Sequence, residues 1–127
     1  MRTTPKTNAI LLGSAALALL PSNAAGQFNN PPTVYNDSTS LRICQDKIVN
    51  LTANDSDPEG NYPLTVTSVG QSYLVHIAIV SASSVEIYAS QTTGGDTVSY
   101  TVEDSLGASS TGLLNIGVVA RQNEQCA

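Results

Sequence analysis

The stretch Gly95-Asp96-Thr97-Val98-Ser99-Tyr100-Thr101-Val102-Glu103-Asp104-Ser105-Leu106-Gly107 decides the fold class. Val98, Tyr100 and Val102 alternate with Ser99, Thr101 and Glu103, the period of a strand with one buried face. Asp104-Ser105-Leu106-Gly107 is turn chemistry, and past it Leu114, Ile116 and Val118 alternate with Asn115, Gly117 and Val119. A strand, a tight turn and a second strand make a hairpin.

The same period runs back toward the N-terminus. Val85 and Ile87 alternate with Glu86 and Tyr88; Val75, Ile77 and Ile79 with Leu74, His76 and Ala78; Leu64 and Val66 with Thr65 and Thr67. Val49, Leu51 and Ala53 alternate with Asn50, Thr52 and Asn54, and a looser strand falls between Thr33 and Arg42. No stretch after the first 25 residues carries a helical period, and no internal repeat is present. Seven short strands in about 90 residues are what two packed antiparallel sheets require, each burying one face. The expectation is an all-β, two-sheet sandwich of about seven strands.

The 127 residues hold one ordinary domain. Residues 1–25 combine a basic head (Arg2, Lys6), an apolar run from Ala9 to Leu20 and a small-residue exit at Ala24-Ala25, the layout of a secretory signal peptide cleaved after Ala24 or Ala25. The apolar run is shorter than the roughly 20 residues a membrane-spanning helix needs. Residues 26–32 form a proline-rich lead-in, 33–120 the sandwich, and 121–127 a tail carrying Cys126.

Without the leader, three basic residues (Arg42, Lys47, Arg121) face ten acidic ones, a net charge of about −7. That balance excludes a phosphate-neutralising nucleic-acid surface, and no basic amphipathic segment offers itself to a membrane. Cys44 and Cys126 both lie in the exported part, where an oxidising compartment tends to close a pair of thiols. One disulfide is expected, closing a loop of roughly 80 residues that stabilises by on the order of 4 kcal/mol. The alternatives are two unpaired thiols or a bridge to another chain.

Asn30-Pro31-Pro32, then Leu51-Thr52-Ala53-Asn54-Asp55-Ser56-Asp57-Pro58-Glu59-Gly60 with Leu64-Thr65-Val66, then the 95–107 stretch, follow in the order and spacing of a known repeat unit. From about Asn29 to Ala120 the chain resembles the cadherin-like and immunoglobulin-like domains of bacterial surface proteins. The resemblance implies a Greek-key sandwich, use in adhesion or as a spacer in tandem arrays, and in some cases stabilisation by calcium. The chain departs from that pattern in holding a single unit and a cysteine-bearing tail.

Asp96 stands four residues before Tyr100 at the start of a strand, the arrangement of a tyrosine corner in which the phenol bonds to upstream backbone. In such a sandwich Asp55, Asp57 and Glu59 fall at the same pole as Asp104, and Cys44 falls near Cys126 at the other. The acidic pole, with Asn30 and Asn54 beside it, offers the oxygen ligands that calcium takes. The competing reading is a loop in which Asn54 and Asp55 cap their own backbone and the other carboxylates are solvated.

The inventory for catalysis is thin. His76 alternates against Val75 and Ile77 and faces solvent, and no serine or cysteine nucleophile has a base and orienting acid arranged with it. A zinc site lacks ligands, and a sugar cleft lacks aromatic platforms, with no Trp and Phe28 as the one Phe. Tyr35, Tyr62, Tyr73 and Tyr88 remain as contact residues, Tyr62 beside the acidic loop and Tyr88 on an outer face being the foremost. Three Asn-x-Ser/Thr sequons, at Asn36, Asn50 and Asn54, are read as chance in a bacterial chain.

The sequence therefore points to a secreted, periplasmic or cell-surface module that is not an enzyme. No cofactor is expected to be required, calcium being an optional ligand, and the expected partner is an extracellular protein or glycan, with no nucleic acid and no membrane insertion after leader removal. The alternatives are a structural subunit joined to a surface or periplasmic assembly through an exposed sheet edge, and a small secreted hydrolase.

Overall fold

The computed structural model describes residues 28–121. The expected leader at residues 1–25, the first lead-in residues and Cys126 lie outside the described residues.

The strands are β1 (Asp37–Arg42), β2 (Asp46–Asn50), β3 (Thr65–Val69), β4 (Val75–Ile79), β5 (Ser84–Ala89), β6 (Gly94–Glu103) and β7 (Ser109–Val119). No helix occurs among the described residues, so none there is long and apolar enough to cross a membrane. One sheet has the order β1-β7-β6-β3 and the other β2-β5-β4. β1 runs parallel to β7, and every other pair is antiparallel. Two hairpins, β4-β5 and β6-β7, stay within a sheet, while the other connections cross between sheets, giving the Greek key.

The period-two reading places the core. Val98, Tyr100 and Val102 of β6 and Leu114, Ile116 and Val118 of β7 are buried, and they meet Val75, Ile77, Val85, Ile87 and Ala89 of the opposite sheet. Each large apolar side chain so buried contributes about 1.5–3 kcal/mol. Leu41, Ile43, Leu51, Leu64 and Leu74 fill the margins from strand ends and loops.

One strand differs from its sequence expectation. The pattern Val49, Leu51, Ala53 suggested a strand running on to Ala53, but β2 ends at Asn50. Asn50 Oδ1 accepts the Thr52 N–H at 3.0 Å, and Asp55 N–H donates to the Thr52 carbonyl at 3.1 Å. Local turn bonds therefore replace ladder bonds, as short polar side chains allow. Leu51 stays buried while Ala53 is exposed.

The sandwich has two unlike poles. At the tip, the lead-in, the 51–64 loop and the β6–β7 turn meet: Asn29 Nδ2 donates to Asp104 Oδ1 at 3.3 Å, and Ser105 N–H to the Asn61 carbonyl at 3.0 Å. At the base, Ile43 N–H donates to the Val119 carbonyl at 3.0 Å and Cys44 N–H turns to the carbonyls of Ala89 and Ser90. The eleven residues of β7 span the distance between them, about 35 Å at a strand's rise per residue.

Candidate functional site

The four carboxylates expected at the tip divide into two groups. Asp57 and Asp104 come together. Both are buried, at 7 % and 4 % exposure. Asp57 Oδ2 accepts the N–H groups of Glu59 (3.1 Å) and Asn61 (2.9 Å), closing an Asx turn that Gly60 completes at a φ of 78°. Asp104 Oδ1 accepts the N–H groups of Leu106 (2.9 Å) and Ala108 (3.0 Å) as well as the Asn29 amide. Asp57 Oδ1 and Asp104 Oδ2 are buried and have no donor. Burial by itself raises the Asp104 carboxyl. The Asn29 amide, the two N–H groups and the adjacent Asp57 carboxyl outweigh it and hold Asp104 below the usual range.

Glu59 lies beside them but is committed elsewhere, its carboxylate accepting both the N–H and the Nδ2 amide of Asn30. Asn29 is a hub of this region: its Nδ2 reaches Asp104, and its Oδ1 accepts from Asn61 Nδ2 at 2.9 Å. Asn54, placed beside the acidic pole by its position in sequence, is exposed.

Asp55 faces a different pocket. Its Oδ1 accepts the Tyr35 N–H at 2.9 Å, its Oδ2 is buried without a donor, and it lies close enough to Asp37 and Tyr100 to act on both. Burial pushes the Asp55 carboxyl up, more than the Tyr35 N–H lowers it, and Asp37 adds to the rise. The cause of the split is the Asp57 turn, which points residues two apart at different neighbours. Among the described residues no three Asp, Glu, His or Cys side chains converge as a ready metal cage.

The tyrosine corner requires a correction. Tyr100 is buried and structural, but its phenol reaches the start of β1, lying 2.7 Å from Asp37 Oδ2 and 3.1 Å from the Tyr35 carbonyl. Asp96 takes no part: it accepts Ser72 Oγ at 2.7 Å and the Thr97 N–H at 2.8 Å. Four residues along one strand are about 13 Å apart, beyond the span of a phenol. The route to β1 is opened by Gly112, which pairs with Tyr100 in register and whose missing Cβ leaves room for the ring. Burial, with the Asp37 bond and the charges of Asp37 and Asp55 behind it, drives the phenol pKa far above that of a free tyrosine.

Asn29, Asn61, Asp37 and Gly112 were not singled out by sequence. Only Gly112 carried a signal, since an isolated glycine inside a strand pattern marks close approach of a neighbour. Of the tyrosines, Tyr62 is at the tip and its Oη accepts the Asp57 N–H at 3.1 Å, while Tyr73 Oη donates to the Gly95 carbonyl at 2.8 Å. Tyr88 lies on the outer face of β5 between Asp46 and His76 in the neighbouring strands, and His76 is exposed there as its alternation implied. Cys44, at a φ of 67° in the β1–β2 turn, sits beside the end of β7. Its expected partner Cys126 lies outside the described residues. No cysteine among the described residues is free.

Two sheets in this order, with the first strand parallel to the last and a hairpin of the final pair, define an immunoglobulin-like sandwich. The chain belongs to the bacterial Ig domain family, whose pattern matches residues 29–117. No curated protein matches it. Among solved structures it is similar to a nucleoside hydrolase-related hypothetical protein from Saccharophagus degradans associated with carbohydrate metabolism. The TM-score is 0.52 at 16 % identity, over 72 % of this chain and 26 % of that one. It is also similar to an endo-fucoidan hydrolase of glycoside hydrolase family 107, with a TM-score of 0.49 at 17 % identity over 72 % of this chain and 17 % of that one. The chain thus spans about a quarter or less of the length of these proteins, and the first likeness concerns the fold alone.

Proposed function

We propose that the protein is an exported, non-catalytic binding module that works through its loop pole. The observation that carries this reading is a set of exposed apolar side chains on a well-held backbone. Phe28, Tyr62 and Leu106 are 84 %, 53 % and 68 % exposed. Each is adjacent in sequence to, or hydrogen-bonded with, the Asn29–Asn61–Asp104 network. Aromatic and apolar groups presented without a large ordering cost suit contact with an extracellular protein or glycan. Membership of the bacterial Ig family supports a module without catalysis, and so does the exposure of His76 on the outer face of β4. The leader at residues 1–25 supports export.

A second reading, addition of a partner strand, is favoured by Ile48, 64 % exposed on β2, an edge of the three-stranded sheet. Amide shift mapping separates the two during titration with soluble polysaccharides and with surface-protein fragments. Perturbation around Phe28, Tyr62 and Leu106, weakened in a Tyr62→Ala/Leu106→Ala variant, supports the tip. Perturbation confined to β2 replaces it with edge addition, and turnover of any added polysaccharide that a point variant abolishes overturns the non-catalytic reading.

A further inference from the structure

We propose that β2 is a self-association site: two copies of the chain pair their β2 strands antiparallel about Ile48 and join their three-stranded sheets into one continuous sheet. Such pairing rests on the open β2 edge given above as the second reading, supplies the strand that fills it, and does not depend on the tip.

Among the described residues the sandwich has four edge strands, β1 and β3 in one sheet and β2 and β4 in the other. Three of them carry devices that hinder strand addition. Lys47 Nζ donates to the Ser40 carbonyl at 2.9 Å and sets an ammonium group against β1. β3 has a bulge between Val66 and Ser68, and its Val66 N–H is taken by the Ala82 carbonyl at 2.7 Å. On β4 the Ser72 hydroxyl accepts the Val75 N–H at 3.2 Å.

β2 stands apart from these. Ala89 N–H donates to the Gln45 carbonyl at 3.1 Å and Leu51 N–H to the Ser83 carbonyl at 2.8 Å, and the register between those bonds pairs Lys47 with Ile87 and Val49 with Val85. In an antiparallel ladder alternate residues bond the same neighbour. Gln45, Lys47, Val49 and Leu51 therefore turn their backbone groups to β5. The N–H and C=O groups of Asp46, Ile48 and Asn50 point the other way, to a side where no described strand lies. Ile48, in the middle of that edge, is 64 % exposed.

The strand is complementary to itself. Set antiparallel against a second copy, Asp46-Lys47-Ile48-Val49-Asn50 places Ile48 opposite Ile48 and Asp46 opposite Asn50 at both ends, and these three side chains share the exposed face. Asn50 Oδ1 already accepts the Thr52 N–H at 3.0 Å, which leaves its Nδ2 amide to donate to the Asp46 carboxylate of the second copy. The outward backbone groups of Asp46, Ile48 and Asn50 meet the same groups of the other strand and exchange ladder bonds. No like charges stand directly opposite, a condition that an acidic chain must meet to pair with itself.

A two-fold pairing of this kind closes on itself. Once β2 meets β2, the edges left in the described residues are the three that carry devices against addition, so assembly stops at two copies. A contact centred on five residues a side is smaller than a standard interface and places the dimer in the weak range, with a dissociation constant of about 10⁻⁵ to 10⁻³ M.

Sedimentation equilibrium of the leader-free protein from about 1 μM to about 1 mM tests the pairing, with amide exchange read at both ends of that range. The mean mass is expected to climb from one copy toward two and no further, while exchange at Asp46, Ile48 and Asn50 slows. Ile48→Lys sets two like charges at the two-fold centre and should leave a monomer throughout. Asn50→Asp keeps the acceptor for Thr52 but opposes a carboxylate to Asp46, and should raise the dissociation constant by about tenfold. Val80→Lys, at an exposed site just past β4, should leave it unchanged. A mass that stays at one copy, a mass that grows past two, or a dimer indifferent to Ile48→Lys overturns the proposal. Slow exchange of the β2 amides in a dilute monomer also overturns it, by placing residues 122–127 of the same chain on that edge. The titrations above are run at one protein concentration. Perturbation of β2 by an added partner in a protein that stays monomeric would keep the second reading and remove self-pairing alone.

Discussion

Two buried carboxyl pockets flank one loop, and they are built on opposite terms. Around Asp104, five donors serve the two aspartates, and one oxygen of each is buried without a donor. Around Asp55, a single backbone N–H serves the carboxyl, and the neighbours are a second carboxylate, Asp37, and the Tyr100 phenol. Residue type is the same in both. Burial raises both Asp104 and Asp55, but the Asn29 amide and two N–H groups outweigh it at Asp104, while the one N–H at Asp55 does not.

The largest expected effect comes from closing the Tyr100 side. A Cβ on Gly112 would lie 2.6 Å from Val34 Cγ1 and 2.7 Å from Tyr100 Cζ and Oη, all inside contact distance. Gly112→Ala should therefore destabilise by about 3 kcal/mol in urea unfolding, the scale of a forced overpacking. A change below about 0.5 kcal/mol would show that the ring does not pass over this residue.

Tyr100→Phe is a gentler break. It removes the donor to Asp37 while keeping the ring, and should cost about 1–2 kcal/mol, as for a buried acceptor left without its partner. If it costs nothing, the phenol contact with Asp37 does not hold the start of β1.

The smallest and most discriminating effect is on pH dependence, and the two pockets have opposite signs. Asp104 is lowered in the fold, so it contributes stability that is present above its unfolded value near 3.8 and is lost as pH falls through the folded value. Asp55 is raised, so its contribution is fully present below its unfolded value near 3.8 and is lost as pH rises through the folded one. Asp55→Asn should then stabilise at neutral pH, with the gain vanishing in acid, whereas Asp104→Asn should destabilise at neutral pH and matter less in acid. Urea midpoints across the acid range check both, and parallel curves for the two variants would erase the distinction.

Much of the sandwich was legible because burial on one face of a strand writes itself into alternate residues. Val98, Tyr100, Val102, Leu114, Ile116 and Val118 face inward as their period implied. The end of β2 was less legible, since Leu51 keeps the apolar period after Asn50 has already turned the backbone. The tip was legible as composition and not as geometry. Asp55, Asp57, Glu59 and Asp104 were found by residue type, but nothing in a linear pattern says which carboxylate will meet which amide.

By itself the sequence determined the all-β class, the two-sheet core, the burial of Tyr100 and the exposure of His76. Those properties follow from period, turn chemistry and charge, which act locally. Only the tertiary structure decided that Tyr100 crosses Gly112 to reach Asp37, that Asp96 serves Ser72 instead, and that Asp57 pairs with Asp104 while Asp55 does not. Each of those outcomes joins residues far apart in the chain, and hydrogen-bond partners at such separations are set by the packing of whole strands, not by any stretch read alone.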